Sequence, residues 1–354
     1  FRHEMISTLF VGMAGATVNQ NFSMLFAEKT LQAGPWLVAV LASLVAVGNF
    51  FGAFVGPYLQ RRRRVPLIVG ARLGIAGCMV AISFLPMTQG VGLYYVGLLA
   101  VVAILAAAAL NTLSSVWHSN YPSEVRGQIF SRRQIVAMAA IGICAFLAGS
   151  ALDYSPDAYR WIYRVAAALM VVGAWRFGKI RVRGERGMLR QHARTRPNLL
   201  EGVGVLLHDR KYARFMAVQM LSGGMVLMSL PVIPMLYADR MKATYKEGTG
   251  AMALAPMLVA LASMPLAGRL FDRVGIARVR ALGAALWAAS RGLLALGIWL
   301  YSWPVIIIGA MVQGLGQSTG SLAFGIGHTH FAPPERSQAY MGIHMTLQGV
   351  RGLT

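Results

Sequence analysis

Stretches of about 20 predominantly apolar residues recur along this 354-residue chain, and no other feature limits its fold as strongly. A helix of about 20 residues bridges a hydrocarbon core about 30 Å thick. In that solvent only elements that satisfy their own backbone hydrogen bonds persist. Ten complete stretches stand at roughly 5–27, 35–59, 66–87, 91–117, 133–152, 159–177, 214–237, 248–271, 281–301 and 304–330, and an eleventh begins near Tyr340. The first residue is Phe1, so the chain is expected to be a fragment, truncated within the eleventh transmembrane helix. No cleavable signal peptide is evident. The expected fold class is an all-α membrane protein.

Only 13% of the residues are charged, against about 25% in soluble domains, yet the formal net charge is +21. A nucleic-acid surface would spread such charge over a soluble face. Here the charge follows the gaps between spans instead. Alternate gaps, with Arg2, hold 24 of the 33 Lys and Arg residues: the run 61–64, Arg126, Arg132, Arg133, the segment 176–214, the segment 269–280 and Arg336. The opposite side holds six, namely Lys29, Arg160, Arg164, Arg240, Lys242 and Lys246, and three lie inside spans: Arg72, Arg291 and Arg351. Excess Lys and Arg mark the cytoplasmic face. The N-terminus, the run 61–64 and the central loop are therefore expected to be cytoplasmic, with that run a short orientation-setting loop. The expected partners are the lipid bilayer and a small-molecule substrate, with no nucleic acid. The expected state is a monomer, multi-pass, in a bacterial inner or plasma membrane.

The two halves repeat. MLFAEK at 24–29 matches MLYADR at 235–240, HSNYPSEVRGQ at 118–128 matches HTHFAPPERSQ at 328–338, and GPYLQR at 56–61 matches GRLFDR at 268–273. The offsets are 211, 210 and 212 residues. Near-constant offsets across three loops imply one duplicated unit. That sets expected domains of 1–177, a six-helix bundle, 178–213, a basic cytoplasmic loop, and 214–354, a second bundle that is incomplete.

GRLFDRVGIAR at 268–278 resembles the loop motif of the major facilitator superfamily: Gly, three residues, Asp-Arg, one residue, Gly, then basic residues. It lies between spans eight and nine, where that family carries its second copy. In the first copy Gln60 replaces the acid and Arg63 the second glycine. NLLEGVGVLLHDRKYARF at 198–215 is similar to the amphipathic lead-in to span seven in many members. The resemblance implies two six-helix bundles related by a pseudo-twofold repeat. It also gives the motif a mechanical role. Gly56 and Gly268 would permit close helix approach, and Asp272 with Arg273 would latch the cytoplasmic side through a charge pair or a helix-end contact. Arg61 would act alone, or weakly, in the first copy. The competing reading is that these charges only hold short loops and set topology.

The resemblance further implies that spans one, four, seven and ten line a central cavity. The polar residues agree. Span one carries Thr17, Gln20, Asn21 and Met24, and span four carries Asn111, Ser114, Ser115 and His118, each at i, i+3, i+4, i+7 spacing, one helical face. Span seven carries Gln219, Ser222 and Ser229, and span ten Gln313, Gln317 and Ser321. The substrate-cavity candidates are Gln20, Asn21, Asn111, Ser115, Gln219, Ser222, Gln313 and Gln317. Helix–helix hydrogen bonding without a ligand is the alternative.

All 12 acidic residues lie in loops or at span ends, so no titrating carboxylate is expected near a span centre. Arg291 lies about 16 Å along a helix from Arg280, near the midplane. It needs compensation from an anionic substrate or from carbonyls and amides of a neighbouring helix. Arg72 is expected to snorkel to the cytoplasmic surface. His118, His328 and His330 lack the companions of a metal site. The two cysteines, Cys78 and Cys144, read as core residues. No cofactor, metal or catalytic residue is expected. With no phosphate-binding Gly-Lys-Ser/Thr loop, the leading function is secondary active or facilitative transport of a small solute by alternating access. The alternatives are a non-transporting membrane sensor or assembly protein that keeps the transporter fold, and an intramembrane enzyme, which the spans do not equip.

Overall fold

The computed structural model describes residues 1–31, 35–51, 59, 62–86, 90–193, 201–242, 251 and 254–353, and among these the regular structure is entirely helical. The helices are α1 (Arg2–Gly15), α2 (Gln20–Lys29), α3 (Pro35–Phe50), α4 (Arg64–Ser83), α5 (Val91–Asn120), α6 (Arg126–Tyr154), α7 (Tyr159–Gly178), α8 (Glu185–Ala193), α9 (Glu201–His208), α10 (Arg210–Asp239), α11 (Ala255–Trp299), α12 (Trp303–Ile326) and α13 (Ser337–Leu353). Within the described residues, five helical segments are by themselves long and apolar enough to cross a membrane: Arg64–Ser83, Val91–Asn120, Arg126–Leu152, Ala255–Trp299 and Trp303–His330. The chain forms two compact units. One comprises Phe1–Asn120, Val136–His208 and Pro333–Thr354, and the other Tyr121–Ile135 and Asp209–Ala332.

In the first unit α7 packs against α1 and α4, and α5 packs against α3 and α4, with α13 lying on α3 and α5. Span one is not the continuous helix that its periodicity implies. After Gly15 the chain makes a 3-10 turn, Ala16–Val18, then Asn19 turns extended (φ −65°, ψ 140°) before α2 begins. Thr17 Oγ1 donates to Ala14 O at 3.0 Å, a local bond of the kind that competes with helix continuation. The carbonyl of Thr17 accepts from Tyr163 Oη at 3.1 Å, and Tyr163 Oη lies 3.0 Å from Tyr95 Oη. Phe26 packs on this pair and on Tyr159, with ring centroids 5.3–5.8 Å apart. The break therefore takes Thr17 off the helical face shared by Gln20 and Met24, because the α-helical spacing restarts at Gln20.

Two arginines depart from expectation. Arg72 does not snorkel. It is buried, its Nη1 donates to Ser7 Oγ at 2.8 Å, and its guanidinium lies 4.4 Å from the Phe177 ring centroid. Ser7 Oγ in turn donates to Gly173 O at 2.7 Å. An acceptor and an aromatic face inside the bundle replace the water the cation would otherwise seek. Arg64 is not a solvated loop residue either. It opens α4, is buried, and its backbone N–H donates to Glu185 Oε1 at 2.8 Å. Glu4, at the end of span one as expected, is nonetheless buried and accepts from Trp117 Nε1.

In the second unit α11 and α12 pack along each other. α11 joins the expected spans eight and nine through a break at Gly275, whose φ of 78° and ψ of 171° are not helical. That backbone region is open to glycine and strained for any other residue. Gly275 is the second glycine of the loop motif. The first copy has Arg63 there, with φ −60° and ψ 126°, so the backbone differs at these two matching positions.

Candidate gate at the start of helix α6

An α-helix leaves its first N–H groups without intrahelical partners and carries partial positive charge there. In the second unit Asp272 answers both needs for α6. Gly127 N donates to Asp272 Oδ1 at 2.7 Å and Gln128 N to Asp272 Oδ2 at 3.0 Å. The carboxylate thus spans two consecutive backbone donors, a charge-assisted arrangement. Of the two contacts the motif allowed, the helix-end contact is present here.

Two glycines make that approach possible. A Cβ on Gly127 would stand 2.7 Å from Gly268 O and 2.6 Å from Asp272 Oδ1. A Cβ on Gly268 would stand 2.8 Å from Gly127 O and closer still to Ser131 Oγ. Neither backbone atom can yield without moving its helix. The helices touch backbone to backbone, as small residues permit in membrane packing.

Arg126 fixes the same end of α6. Its Nε and Nη2 donate to Tyr121 O at 3.2 and 3.0 Å, and its Nη1 donates to Thr329 Oγ1 at 2.9 Å. A cleft of about 360 Å³ opens beside the contact, lined by Glu124, Gln128, Arg269, Asp272 and Arg273. Ser123 Oγ donates to Glu124 Oε1 at 2.7 Å and holds that exposed carboxyl below the usual range. The cleft therefore carries two acids and two arginines at a helix end. It can exchange ion pairs and hydrogen bonds if the elements move.

Gly127 was not singled out in the sequence. The signal was its place in the matched loops, where EVRGQ at 124–128 aligns with PERSQ at 334–338. Gly56, Gln60 and Arg61, the first copy of the motif, lie outside the described residues.

The cavity candidates are distributed among packed surroundings. Gln20 Nε2 donates to Ala42 O at 2.6 Å, binding α2 to α3. Asn111 and Ser115 are fully buried, as is every residue from 111 to 117. Gln219 is buried. Ser222 Oγ donates to Val218 O at 2.7 Å and accepts from Arg280 Nη2. Gln317 is exposed, and the side chain of Asn21 lies outside the described residues. Gln313 meets Arg291. Arg291 Nη1 donates to Gln313 Oε1 at 3.3 Å and its guanidinium lies 5.0 Å from the Trp287 ring centroid. A neighbouring amide and an aromatic face thus supply compensation for this cation. Gln20, Ser222 and Gln313 each bind a neighbouring helix.

A sequence model of the Major Facilitator Superfamily matches residues 5–350. No curated protein matches the sequence. Among solved structures, the proton:xylose symporter XylE bound to 6-bromo-6-deoxy-D-glucose is similar with a TM-score of 0.70 at 11% identity, over 99% of this chain and 85% of that one. A bacterial homologue of the iron transporter ferroportin, in an outward-facing state, scores 0.70 at 14% identity, over 99% and 89%. The human organic anion transporter MFSD10 scores 0.63 at 13% identity, over 99% and 90%. At such identities the likeness is one of fold.

Proposed function

This chain belongs to the major facilitator superfamily, and from that premise we propose that it carries a small solute across the membrane by alternating access between two repeated six-span bundles. The observation that carries the reading is the capping of α6 by Asp272 across the Gly127–Gly268 contact, at the place where the sequence repeats the family's loop motif. A contact built from two hydrogen bonds and a helix dipole contributes on the order of 1 kcal/mol. That is large enough to bias a conformational equilibrium and small enough to be broken in each cycle. Gln60 at the matching position cannot supply the same charge, so the latch is asymmetric.

In this reading the solute meets amides and hydroxyls of spans one, four, seven and ten when the packing seen here opens, and the 12 acidic residues lie in loops or at span ends. Sugars, neutral drugs and organic anions all suit such a lining. XylE, the ferroportin homologue and MFSD10 are described as handling a sugar, iron and organic anions respectively, a spread that leaves the substrate class open. No ATP and no covalent chemistry take part.

Solute flux into liposomes, with and without the purified chain, tests the reading against a non-transporting sensor. The solutes are first chosen by ligand-dependent thermal shift. Stabilising ligands that are never carried across the bilayer would favour the sensor.

A further inference from the structure

We propose that the end of α7 and the segment docked behind it form a binding surface for anionic phospholipid headgroups. The proposal rests on the membrane reading of the chain but requires no transport. Near its C-terminal end α7 exposes Val171, Val172 and Trp175. Trp175 is 56% exposed, with Lys179 Nζ 4.0 Å and the Arg176 guanidinium 4.9 Å from its ring centroid. An exposed indole at the end of an apolar helix belongs at the membrane–water boundary. Two cations drawn onto it stand at headgroup level.

The chain beyond Gly178 is held, not loose. Asn120 Nδ2 donates to Arg181 O at 3.0 Å, and Arg183 N donates to Asn120 Oδ1 at 3.0 Å. Glu185 accepts the Arg64 N–H, and Arg64 Nη2 lies 3.2 Å from the sulfur of Met188, itself buried. These contacts use backbone groups and the apolar side of α8, so the side chains of Arg181, Arg183, Arg186 and Arg190 remain exposed. Between 176 and 190 the only acid in the sequence is Glu185, and its Oε1 is engaged at Arg64. A fixed row of cations whose single acid is engaged at Arg64, next to an interfacial tryptophan, is complementary to a layer of phosphate-bearing headgroups.

The test uses Trp175 as its own reporter. The full chain is reconstituted in phosphatidylcholine vesicles that contain either brominated phosphatidylglycerol or brominated phosphatidylcholine. The Trp175 signal is taken as the difference between wild type and Trp175→Phe. Brominated phosphatidylglycerol should quench Trp175 beyond its mole share, and rising salt should erase the preference. In Lys179→Gln/Arg181→Gln/Arg183→Gln the preference should fall by about fivefold for each cation removed. Arg160→Gln, at the opposite end of α7, should leave it intact. Equal quenching by the two lipids at low salt would overturn the proposal, as would full preference in the triple variant. Should that variant fail to fold, the salt dependence of the wild type decides. Absent lipid preference beside intact solute flux would overturn this proposal and leave the transporter reading standing.

Discussion

The carboxylate of Asp272 accepts the backbone N–H of Gly127 at 2.7 Å and that of Gln128 at 3.0 Å. Asp272→Asn keeps one acceptor but loses the charge, and turns an amide donor toward a backbone donor. The resting equilibrium should shift by roughly fivefold toward a cytoplasm-open state, the ratio for a contact of about 1 kcal/mol. A cysteine placed at His118, in a background with Cys78 and Cys144 replaced, should react faster with a soluble maleimide. Unchanged reactivity would mean that the contact only holds the loop.

Gly275→Ala places a side chain where φ is 78°. Such strain costs on the order of 1–3 kcal/mol, and the apparent Tm should fall by several degrees. Arg63→Gly, at the matching place in the first copy, meets no such requirement in reverse, since Arg63 already sits at φ −60°. That variant should change the Tm by less than Gly275→Ala, as differential scanning fluorimetry would show.

The spans and the loop motif were legible because hydropathy and glycine punctuation are local signals. What stayed hidden depends on partners distant in sequence. Asp272 was legible as a candidate for a charge pair or a helix-end contact, but which helix end it meets was not, because backbone N–H groups leave no mark in composition. Arg72 sits about two turns inside its helix, and only the packing of Ser7 and Phe177 against it decides that it stays buried. The polar face of span one was read from α-helical spacing. That spacing fails once Thr17 bonds back to Ala14 and Asn19 turns extended. Span four shows the opposite case: its polar face exists, but residues 111–117 are enclosed on all sides, which a periodicity cannot reveal.

Arg291 and Gln313 should be energetically coupled. In a double-mutant cycle with Arg291→Gln and Gln313→Leu, thermal unfolding in detergent should return an interaction of about 0.5–1 kcal/mol. Trp287→Leu should destabilise further by removing the ring under the guanidinium. A coupling near zero would reopen the alternative in which an anionic solute compensates Arg291.

From the partition of 24 basic residues against six, the segment 176–214 is expected on the cytoplasmic side. A cysteine at Arg186 should resist an impermeant maleimide added to intact cells and react after permeabilisation. Labelling from outside would invert the topology and remove the basis for a cytoplasmic gate at Asp272.

Gradient-driven uptake should not depend on a titrating carboxylate among the first ten spans. In the sequence, Glu28 and Asp239 occupy matching places in the two repeats, toward the ends of spans one and seven. Glu4 is the more demanding case because it is buried in α1 and accepts the indole N–H of Trp117. That bond ties α1 to α5, and a glutamine oxygen accepts it equally well. Glu4→Gln should therefore retain uptake into vesicles with an imposed pH gradient, as should Glu28→Gln and Asp239→Asn. Glu4→Leu leaves the buried indole donor without its acceptor and should lower the apparent Tm, by an amount set by a loss of about 1–3 kcal/mol. Accumulation that vanishes in Glu4→Gln while the Tm holds would refute this structural role and make Glu4 the proton carrier. Accumulation that vanishes in Glu28→Gln or Asp239→Asn would move that role to the outer ends of spans one and seven.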